Sequence, residues 1–333
     1  MKINRLTLQN FRNFSKISLD FPGETTLIVG RNMAGKSNLL EAIYLLATGG
    51  SLRAEREREM IKEGKSHFRI DGLVESSEGK EQLEIIGQLI DSGRLQKRSR
   101  VNRISRPLSR FSGHLSAVIF TPEDLDLVTD SPSRRRRYLD LVLSQAVPNY
   151  RRTLSQFDRV RIQRNNLLGR LREGLAKSNE LEYWNGEITA LGPVISEARQ
   201  GFFLSINDFF REKLEGLESL CLSYHESILS EGRLAEYHER EIAAGTTLIG
   251  PHRDDFSFLR EIDGTSNVPT AFDGGGWSYS AYGSRGEQRL AVLNLKLAEL
   301  SFMAAAKNER PILLLDDIFS ELDEGHRQTV LEV

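Results

Sequence analysis

The segment GRNMAGKS, residues 30–37, has the residue types and spacing that bind the phosphates of a nucleotide. It fits a pattern of glycine, four residues of any type, then glycine, lysine and serine or threonine. Gly30 and Gly35 permit a tight curl whose N–H groups converge on phosphate oxygens, and a helix beginning near Lys36 adds the positive end of its dipole. Lys36 can reach the terminal phosphates, and the Ser37 hydroxyl can bind Mg²⁺. We predict a nucleotide site at this phosphate loop; the alternative is a glycine turn without a ligand.

A second chemical feature is ILLLDDIFSELD, residues 312–323, an apolar run that ends in two aspartates. Asp316 can hold the Mg²⁺ that bridges the phosphates. Asp317 can orient or deprotonate an attacking water. The alternative is two acids that merely close a strand. Beside the phosphate loop, the pair instead predicts ATP hydrolysis, with Lys36, Asp316 and Asp317 as catalytic residues and Ser37 and Asp316 as metal ligands.

A third stretch, SRGEQ at 284–288, precedes a helical run. Ser284 and the N–H groups near Gly286 lie at a helix start, where the positive end of the dipole is exposed. Lys36 already serves the nucleotide of its own chain, so this anion site has no phosphate of its own. In the alternative, Ser284 is a plain N-cap and Glu287 completes a capping box. The two interpretations are compatible.

Hydrophobic periodicity places the phosphate loop between a strand and a helix. Residues 3–8 and 16–21 alternate with period two, which predicts a hairpin. TTLIVG at 25–30 predicts a short buried strand. Residues 36–49 carry apolar side chains at helical spacing and end at a glycine. Strand, glycine turn and helix is the order that phosphate binding requires.

The rest of the chain changes character twice. Residues 67–120 predict short strands, and residues 134–220 predict three or four long helices, broken by Pro148 and by Gly192-Pro193. After about residue 245 the strand pattern returns. We expect strands in TTLIG, DFSFL and PILLLDD, with a helix at about 285–306 before the last of them.

The order of phosphate loop, long insertion, SRGEQ, LLLDD and SELD resembles the ATP-binding-cassette class of ATPases. SRGEQ matches the signature motif of that class, and SELD at 320–323 matches its D-loop. The resemblance implies an α/β fold: an ABC-type P-loop ATPase nucleus, at 1–125 and 245–333, with a β-rich lobe and an inserted helical arm domain at 126–244. It also implies that two chains sandwich two ATP molecules. The residues expected to bind the ATP of the second chain are Ser284, Gly286, Glu287 and Asp323.

Further segments resemble the RecF family of DNA replication and repair proteins, within the branch that includes the structural-maintenance-of-chromosomes ATPases. They are LTLQNFRNF, TPEDLDLVTDSPSRRRRYLD at 121–140, IGPHRDDFSF at 249–258 and LLLDDIFSELDEGHR, and they extend from residue 2 to about 327. In this family the arginine of the NFR turn contacts the nucleotide. The residues that the resemblance assigns to the nucleotide are Arg12, Gly30, Arg31, Asn32, Met33, Ala34, Gly35, Lys36 and Ser37.

Three features depart from the family pattern. Met33 replaces a small glycine and is expected to crowd the phosphates, and Asp130 stands where a glycine is typical. The chain also stops at Val333, before a further strand with a polar switch residue, so we expect a few tens of residues to be missing.

Net charge is only −2, yet two segments are strongly basic. Residues 134–172 hold eleven arginines and two acids, and residues 94–110 hold seven basic residues and no acid, which leaves −18 for the remainder. This uneven distribution predicts a polyanionic partner, bound through its phosphates without sequence preference. Some of these arginines are expected to pair with acids of the nucleus. The candidates for DNA contact are Arg134, Arg135, Arg136, Arg151, Arg152 and Arg159.

Composition limits the function classes. The 333 residues are 39% hydrophobic and 28% charged, without an apolar run long enough for a membrane span or a secretory signal, and Cys221 is the single cysteine. We expect a cytoplasmic address.

By the resemblance, the function is an ATP-dependent DNA clamp that dimerises on ATP, hydrolyses it slowly and acts at single-strand gaps. Its expected partners are gapped, single- and double-stranded DNA and the mediators RecR and RecO, with which it assists RecA loading and the SOS response. The alternative is the ATPase subunit of a membrane transporter.

Overall fold

The computed structural model describes residues 1–54, 56–90, 93–213, 217, 219–260 and 277–317. The chain forms two compact units, Met1–Asp126 with Leu295–Val333, and Leu127–Asn294. The sequence-based domains assign 245–294 to the ATPase nucleus, whereas the compact units group these residues with the helices. The domain boundaries therefore stay a prediction.

The helices and strands of the described residues have the following bounds. The strands are β1 (Lys2–Phe11), β2 (Phe14–Asp20), β3 (His67–Ser76), β4 (Gly79–Leu89), β5 (Leu95–Val101), β6 (Ile104–Arg106), β7 (Ala117–Phe120), β8 (Leu220–His225), β9 (Asp255–Arg260), β10 (Trp277–Ser278) and β11 (Ile312–Leu315). The helices are α1 (Lys36–Thr48), α2 (Leu108–Phe111), α3 (Asp126–Thr129), α4 (Pro132–Ala146), α5 (Tyr150–Arg172), α6 (Leu181–Lys213), α7 (Glu231–Ala244), α8 (Tyr279–Tyr282) and α9 (Arg285–Lys307).

A six-stranded antiparallel sheet, in the order β2-β1-β3-β4-β5-β6, forms the β-rich part of the first unit. Along β3 the buried side chains alternate with exposed or half-buried ones, as the period of a strand requires. Helix α1 packs against this sheet at Gly72 of β3, where a Cβ would lie only 2.6 Å from Cδ1 of Leu46. This close approach fixes α1, and with it the phosphate loop, relative to the sheet.

The first unit also contains a parallel pair of strands, β7 and β11. The predicted buried strand at 25–30 is wrong in this structure, since residues 26–30 have no strand conformation and Leu27 and Val29 are 84% and 83% exposed. An apolar run becomes a strand only where a sheet edge accepts its backbone groups, and the run itself does not specify that edge. Here the carbonyl of Gly30 accepts a hydrogen bond from the Lys36 ammonium instead.

The second unit combines helices α4 to α7 with a three-stranded sheet in the order β10-β9-β8. Three or four long helices were expected here, and this is confirmed. The predicted break at Gly192-Pro193 is wrong, because α6 continues through Pro193. Proline lacks the N–H that a helix interior uses, but Ile188 and Ile195 on either side are fully buried and hold the helix in place.

The predicted strand in TTLIG is also wrong. The backbone N–H and the hydroxyl of Thr247 both donate to Oδ1 of Asn165, at 2.8 and 2.7 Å. These bonds to a side chain replace the ladder that a strand would need. The N-terminal hairpin, the helix after the phosphate loop, the strand in DFSFL and the helix after SRGEQ are confirmed.

None of the helices in the described part of the chain is long and apolar enough to cross a membrane.

Candidate nucleotide site and basic surfaces

The phosphate loop ends at Gly35, which begins helix α1 in a left-handed conformation with φ of 101°. A Cβ at this position would lie 2.6 Å from the Phe14 ring and 2.7 Å from the Asn13 amide. Only glycine satisfies both the backbone angle and the space. The first turn of α1 contains no acid, so no side chain of that turn neutralises the positive end of the helix dipole.

The remaining loop residues are open to solvent. Gly30, Arg31, Asn32, Met33 and Ala34 are all exposed, and Met33 is 98% exposed with a φ of 68°. The side chain of Met33 therefore does not fill the loop in this structure, contrary to the expected crowding.

The Lys36 ammonium folds back onto its own loop. It donates to the carbonyls of Gly30 at 2.9 Å and Arg31 at 3.2 Å. Carbonyl oxygens are partially negative acceptors, and the phosphate oxygens of a nucleotide would be stronger ones. The ammonium group of Lys36 thus lies inside the loop that was predicted to bind the phosphates of a nucleotide.

The structure joins the two motifs that the sequence places 279 residues apart. The Ser37 hydroxyl donates to Oδ1 of Asp316 at 2.9 Å. Strand β11 delivers that carboxylate, because Leu315 pairs with Phe120 of β7 and the Asp316 N–H donates to the Phe120 carbonyl at 2.9 Å. Hydroxyl and carboxylate oxygens are the donors that Mg²⁺ prefers, so this pair fits the predicted metal position. Asp317 follows directly, with a positive φ of 54°.

The hairpin turn between β1 and β2 supports the loop through a residue that sequence reasoning missed. The Asn13 amide donates to the Ala34 carbonyl at 3.2 Å, and its oxygen accepts from Asn38 at 2.9 Å. Asn13 therefore links the turn to both the loop and the start of α1. The signal was present in the NFRNF sequence, but a single asparagine in a turn gives no indication of its partner.

Arg12 in the same turn forms an ion pair with Glu41 of α1. Its Nε and Nη2 donate to the two carboxylate oxygens at 2.8 and 2.6 Å, and Nη1 donates to the Glu59 carbonyl at 3.0 Å. Glu41 is only 2% exposed and also accepts from the Ser51 hydroxyl. The guanidinium is thus held beside α1 by a buried carboxylate, and its contact with a nucleotide stays a prediction.

The SRGEQ motif forms the capping box of α9. The N–H and hydroxyl of Ser284 donate to Oε2 of Glu287 at 2.8 and 2.7 Å, and the Glu287 N–H donates to the Ser284 hydroxyl at 3.3 Å. These hydrogen bonds lower the pKa of Glu287. Ser284, Arg285 and Gly286 are exposed, so the cap leaves the helix start accessible. Asp323 and the D-loop at 320–323 lie outside the described residues.

The predicted DNA-binding arginines differ in how much of their charge is accessible. Arg135 forms a bidentate ion pair with Asp255, at 2.6 and 2.9 Å, and Arg136 donates to the Asp254 carbonyl at 2.9 Å. Burial lowers the pKa of Arg136. The remaining candidates are Arg134 and Arg151, which are half-buried, and Arg152 and Arg159, which are exposed. Pairing of basic residues with acids is thus confirmed for Arg135, and the DNA contacts stay predictions.

One face of α5 carries polar and basic side chains without an acid. Its exposed positions follow each other at intervals of four and three residues, as one helical stripe does. The stripe consists of Arg152, Gln156, Arg159, Gln163, Asn166 and Arg170. It extends over about 27 Å at the rise of an α-helix. We call this surface the α5 stripe.

These features define a class of protein. A phosphate loop before a helix, an aspartate-ended strand that reaches the loop serine and a separate SRGEQ helix start are features of an ABC-type P-loop ATPase. Residues 2–333 match the family described as RecF/RecN/SMC N terminal domain.

Similarity to individual proteins is more specific. The chain is 39% identical over 348 residues to the DNA replication and repair protein RecF of Heliobacterium modesticaldum, covering 99% of this chain and 88% of that protein. It is 36% identical over 352 residues to the protein of the same name from Enterococcus faecalis, covering 100% and 89%. The chain therefore belongs to the RecF/RecN/SMC N terminal domain family, and within it to the RecF proteins.

Solved structures agree with this assignment. The recombination mediator protein RecF-ATP in the RecFOR pathway superimposes with a TM-score of 0.85 at 31% identity, covering 99% of this chain and 88% of that one. The RecF-ATPrS structure superimposes with a TM-score of 0.83, also at 31% identity, covering 99% and 89%. The α/β cassette ATPase fold expected from the sequence is thereby confirmed.

Proposed function

We propose that the chain is an ATPase that acts in DNA replication and recombinational repair as an ATP-dependent DNA clamp. The observation that carries the proposal is the 2.9 Å hydrogen bond between Ser37 and Asp316. It unites the phosphate loop with the acidic strand end in one site. The names of the similar proteins, which are DNA replication and repair proteins and a recombination mediator with ATP, support the biological role.

The residues of the nucleotide site have separate roles in binding phosphate, binding metal and orienting water. The N–H groups at the start of α1 and the Lys36 ammonium bind the phosphates of ATP. Ser37 and Asp316 would hold Mg²⁺, which neutralises charge on the phosphate oxygens during transfer. Asp317 orients or deprotonates the attacking water. We expect slow hydrolysis that DNA stimulates, because the nucleotide acts as a switch.

The exposed helix start of α9 supports an ATP-dependent homodimer. Ser284 and Gly286 are accessible, and Glu287 holds the serine in place through the capping box. Each chain presents this helix start to the ATP of its partner, with Asp323 contributing from the D-loop. ATP closes the dimer on DNA, and hydrolysis opens it.

The α5 stripe supports DNA binding through phosphates. Guanidinium and amide groups hydrogen-bond phosphate oxygens, and such contacts are independent of sequence. The substrates are gapped, single- and double-stranded DNA in the cytoplasm. RecO and RecR are the expected partners in loading RecA, with a link to the SOS response.

The proposal is tested by measuring mass in solution, with light scattering, and the affinity for a fluorescent ATP analogue. The unmodified protein should form a dimer only with ATP. Ser284→Arg should bind the analogue normally and stay monomeric, since the side chain occupies the place of the partner's phosphate. Lys36→Ala should lose both properties. A protein that stays monomeric in saturating ATP contradicts the clamp, and a Ser284→Arg variant that dimerises contradicts the role of the helix start.

A further inference from the structure

The β5–β6 hairpin stands at the edge of the six-stranded sheet and turns through two residues, Asn102 and Arg103. The turn is anchored to β4, because the Asn102 N–H donates to the Gln82 carbonyl at 2.8 Å and its Oδ1 accepts from the Gln82 N–H at 2.9 Å. This anchoring gives the tip a defined position.

The residue at the tip is unfavourable for its backbone conformation. Asn102 and Arg103 have φ of 50° and 68°, and a two-residue turn with both angles positive strongly favours Asn-Gly. Asparagine occupies the first position as expected, but an arginine occupies the position of the glycine. A side chain in this conformation strains the backbone. Strain of this kind at an exposed tip points to a function for the side chain itself.

The cations around the tip are only partly neutralised. Arg100 donates to Glu84 at 3.1 Å and shares that carboxylate with Arg69, and Lys97 pairs with Glu57. Within the hairpin, from Leu95 to Arg106, three exposed arginines have no ion pair among the described residues, and no acid occurs in 94–110. These three are Arg98, Arg103 and Arg106.

The spacing of Arg98 and Arg103 suits a phosphate backbone. Arg98 and the tip are separated by about 15 Å of strand, which equals the rise along the duplex axis over about four phosphates of one DNA strand. Arg106 pairs with Ser99 across the hairpin, so its side chain projects from the face opposite to that of Arg98, and the two exposed guanidinium groups lie on opposite sides of the sheet edge. Guanidinium groups bind phosphates in a bidentate manner and remain charged at every physiological pH.

We propose that the β5–β6 hairpin is a DNA contact on the first unit, separate from the α5 stripe, and that it binds phosphates through Arg98, Arg103 and Arg106. The inference rests on the proposed function in that DNA is the ligand. Arg103 is retained at the tip because its phosphate contact compensates for the conformational strain.

The test is fluorescence anisotropy of a labelled duplex over a series of salt concentrations, with the full chain. The variants are Arg98→Gln/Arg103→Gln/Arg106→Gln, Arg152→Gln/Arg159→Gln and, as a matched control, Lys16→Gln, an exposed cation of β2 at the opposite sheet edge. Each lost phosphate contact should reduce the slope of log affinity against log salt by about 0.9. The hairpin variant should therefore lose about 2.7 in slope and roughly tenfold to hundredfold in affinity, and Lys16→Gln should match the unmodified protein.

A further variant of the hairpin is Arg103→Gly, which removes the charge and restores the preferred turn. Its melting temperature should be unchanged or raised, while its affinity for DNA falls about two- to fivefold. This combination supports the inference even if the triple variant does not fold. Unchanged DNA affinity in Arg103→Gly overturns it.

The outcomes separate this inference from the proposed function. If the hairpin variant binds DNA normally while the α5 variant binds it more weakly, the hairpin inference is wrong but the proposed function stands. The basic surface of the hairpin would then bind an acidic protein partner instead of DNA. If the unmodified protein binds no DNA at any salt concentration, both proposals fail.

Discussion

Helix α5 uses the same residue type for two purposes on its two faces. Arg164 is 1% exposed and donates to Asn185, Thr247 and Glu241 at 2.8, 2.9 and 2.5 Å. Five residues earlier, Arg159 is exposed. The buried guanidinium connects α5 to α6 and α7, whereas the exposed one leaves its charge available to a ligand. The same guanidinium group thus has a structural role where it is buried, in Arg164, and is a candidate for ligand binding where it is exposed, in Arg159.

The comparison changes how the basic segment at 134–172 is interpreted. Eleven arginines against two acids indicate a strongly positive surface when only the sequence is counted. In the structure Arg135, Arg161 and Arg164 form ion pairs with Asp255, Asp158 and Glu241. The accessible positive charge is therefore smaller than the count and is concentrated on the α5 stripe.

The largest effect is expected from breaking the buried pair of Arg164. Arg164→Met leaves Glu241, which has no exposed area, as a buried charge without its cation. Removal of one partner of a buried ion pair destabilises a protein by about 3–5 kcal/mol. Chemical denaturation of Arg164→Met and Arg159→Met should show this loss for the first and a change within about 0.5 kcal/mol for the second. Equal losses in the two variants contradict the assignment of the faces.

The next effect concerns His252, which packs on Phe157 of the buried face with ring centroids 6.0 Å apart. Burial lowers its pKa to about 4, and the charges of Arg161, Arg253 and Arg136 act in the same direction. In the unfolded chain the pKa is about 6.5. The unfolded state thus binds a proton between pH 6.5 and 4 that the folded state does not, so stability is lost as the pH falls through this window.

Full protonation across that interval corresponds to about 2–3 kcal/mol after allowance for partial exposure. The free energy of unfolding of the unmodified protein and of His252→Gln, measured at pH 7.5 and pH 5, should show a steeper decline for the unmodified protein. His225 also has a pKa lowered by burial, and His225→Gln is the control that subtracts its contribution. A parallel decline in the unmodified protein and His252→Gln contradicts the proposed burial of a neutral imidazole.

The exposed face should show the opposite pattern, in which binding changes and stability does not. Arg152→Gln/Arg159→Gln removes two accessible charges of the α5 stripe. Affinity for a duplex should fall by about fivefold to twentyfold, with a loss of about 1.8 in salt slope. Denaturation of the same variant should match the unmodified protein. A stability loss without a change in salt slope would place these arginines in the structural class with Arg164.

The chemistry of the nucleotide site was predictable from the sequence because it depends on local spacing. Gly35, Lys36 and Ser37 act within one turn, and Asp316 follows an apolar run that identifies its strand. Arg12 was associated with the site by resemblance, but its ion pair with Glu41, 29 residues away, has no local signal. A glutamate on the buried face of α1 is unusual, and only the fold supplies its partner.

The same limit explains the errors in the fold. The segment at 25–30 has strand composition, but strand formation depends on an edge that the segment does not encode. Pro193 predicts a helix end, but buried neighbours along α6 outweigh it. In α5, arginines occur on both faces, so neither residue type nor charge reveals which of them are buried. Depth is a property of tertiary packing, and periodicity indicates it only when apolar residues mark the inner face alone.

Arg161 tests the boundary between the buried and the exposed face of α5, because its exposure is between that of Arg164 and that of Arg159. Its side chain is 27% exposed and donates to Asp158, one turn earlier on the same helix, at 3.1 Å. Surface pairs at this spacing contribute about 0.3–0.5 kcal/mol. Arg161→Gln should therefore lower the free energy of unfolding by about that amount and leave DNA affinity within about twofold of the unmodified protein, because Asp158 already neutralises the charge.

Asp158→Asn is the matched control for this position. It frees the Arg161 charge without removing it, so DNA affinity should rise slightly while stability falls by the same few tenths of a kcal/mol. If Arg161→Gln instead weakens DNA binding as much as a change at Arg159, the ion pair does not neutralise Arg161, and the boundary between the structural and the binding arginines of α5 moves inward by two residues.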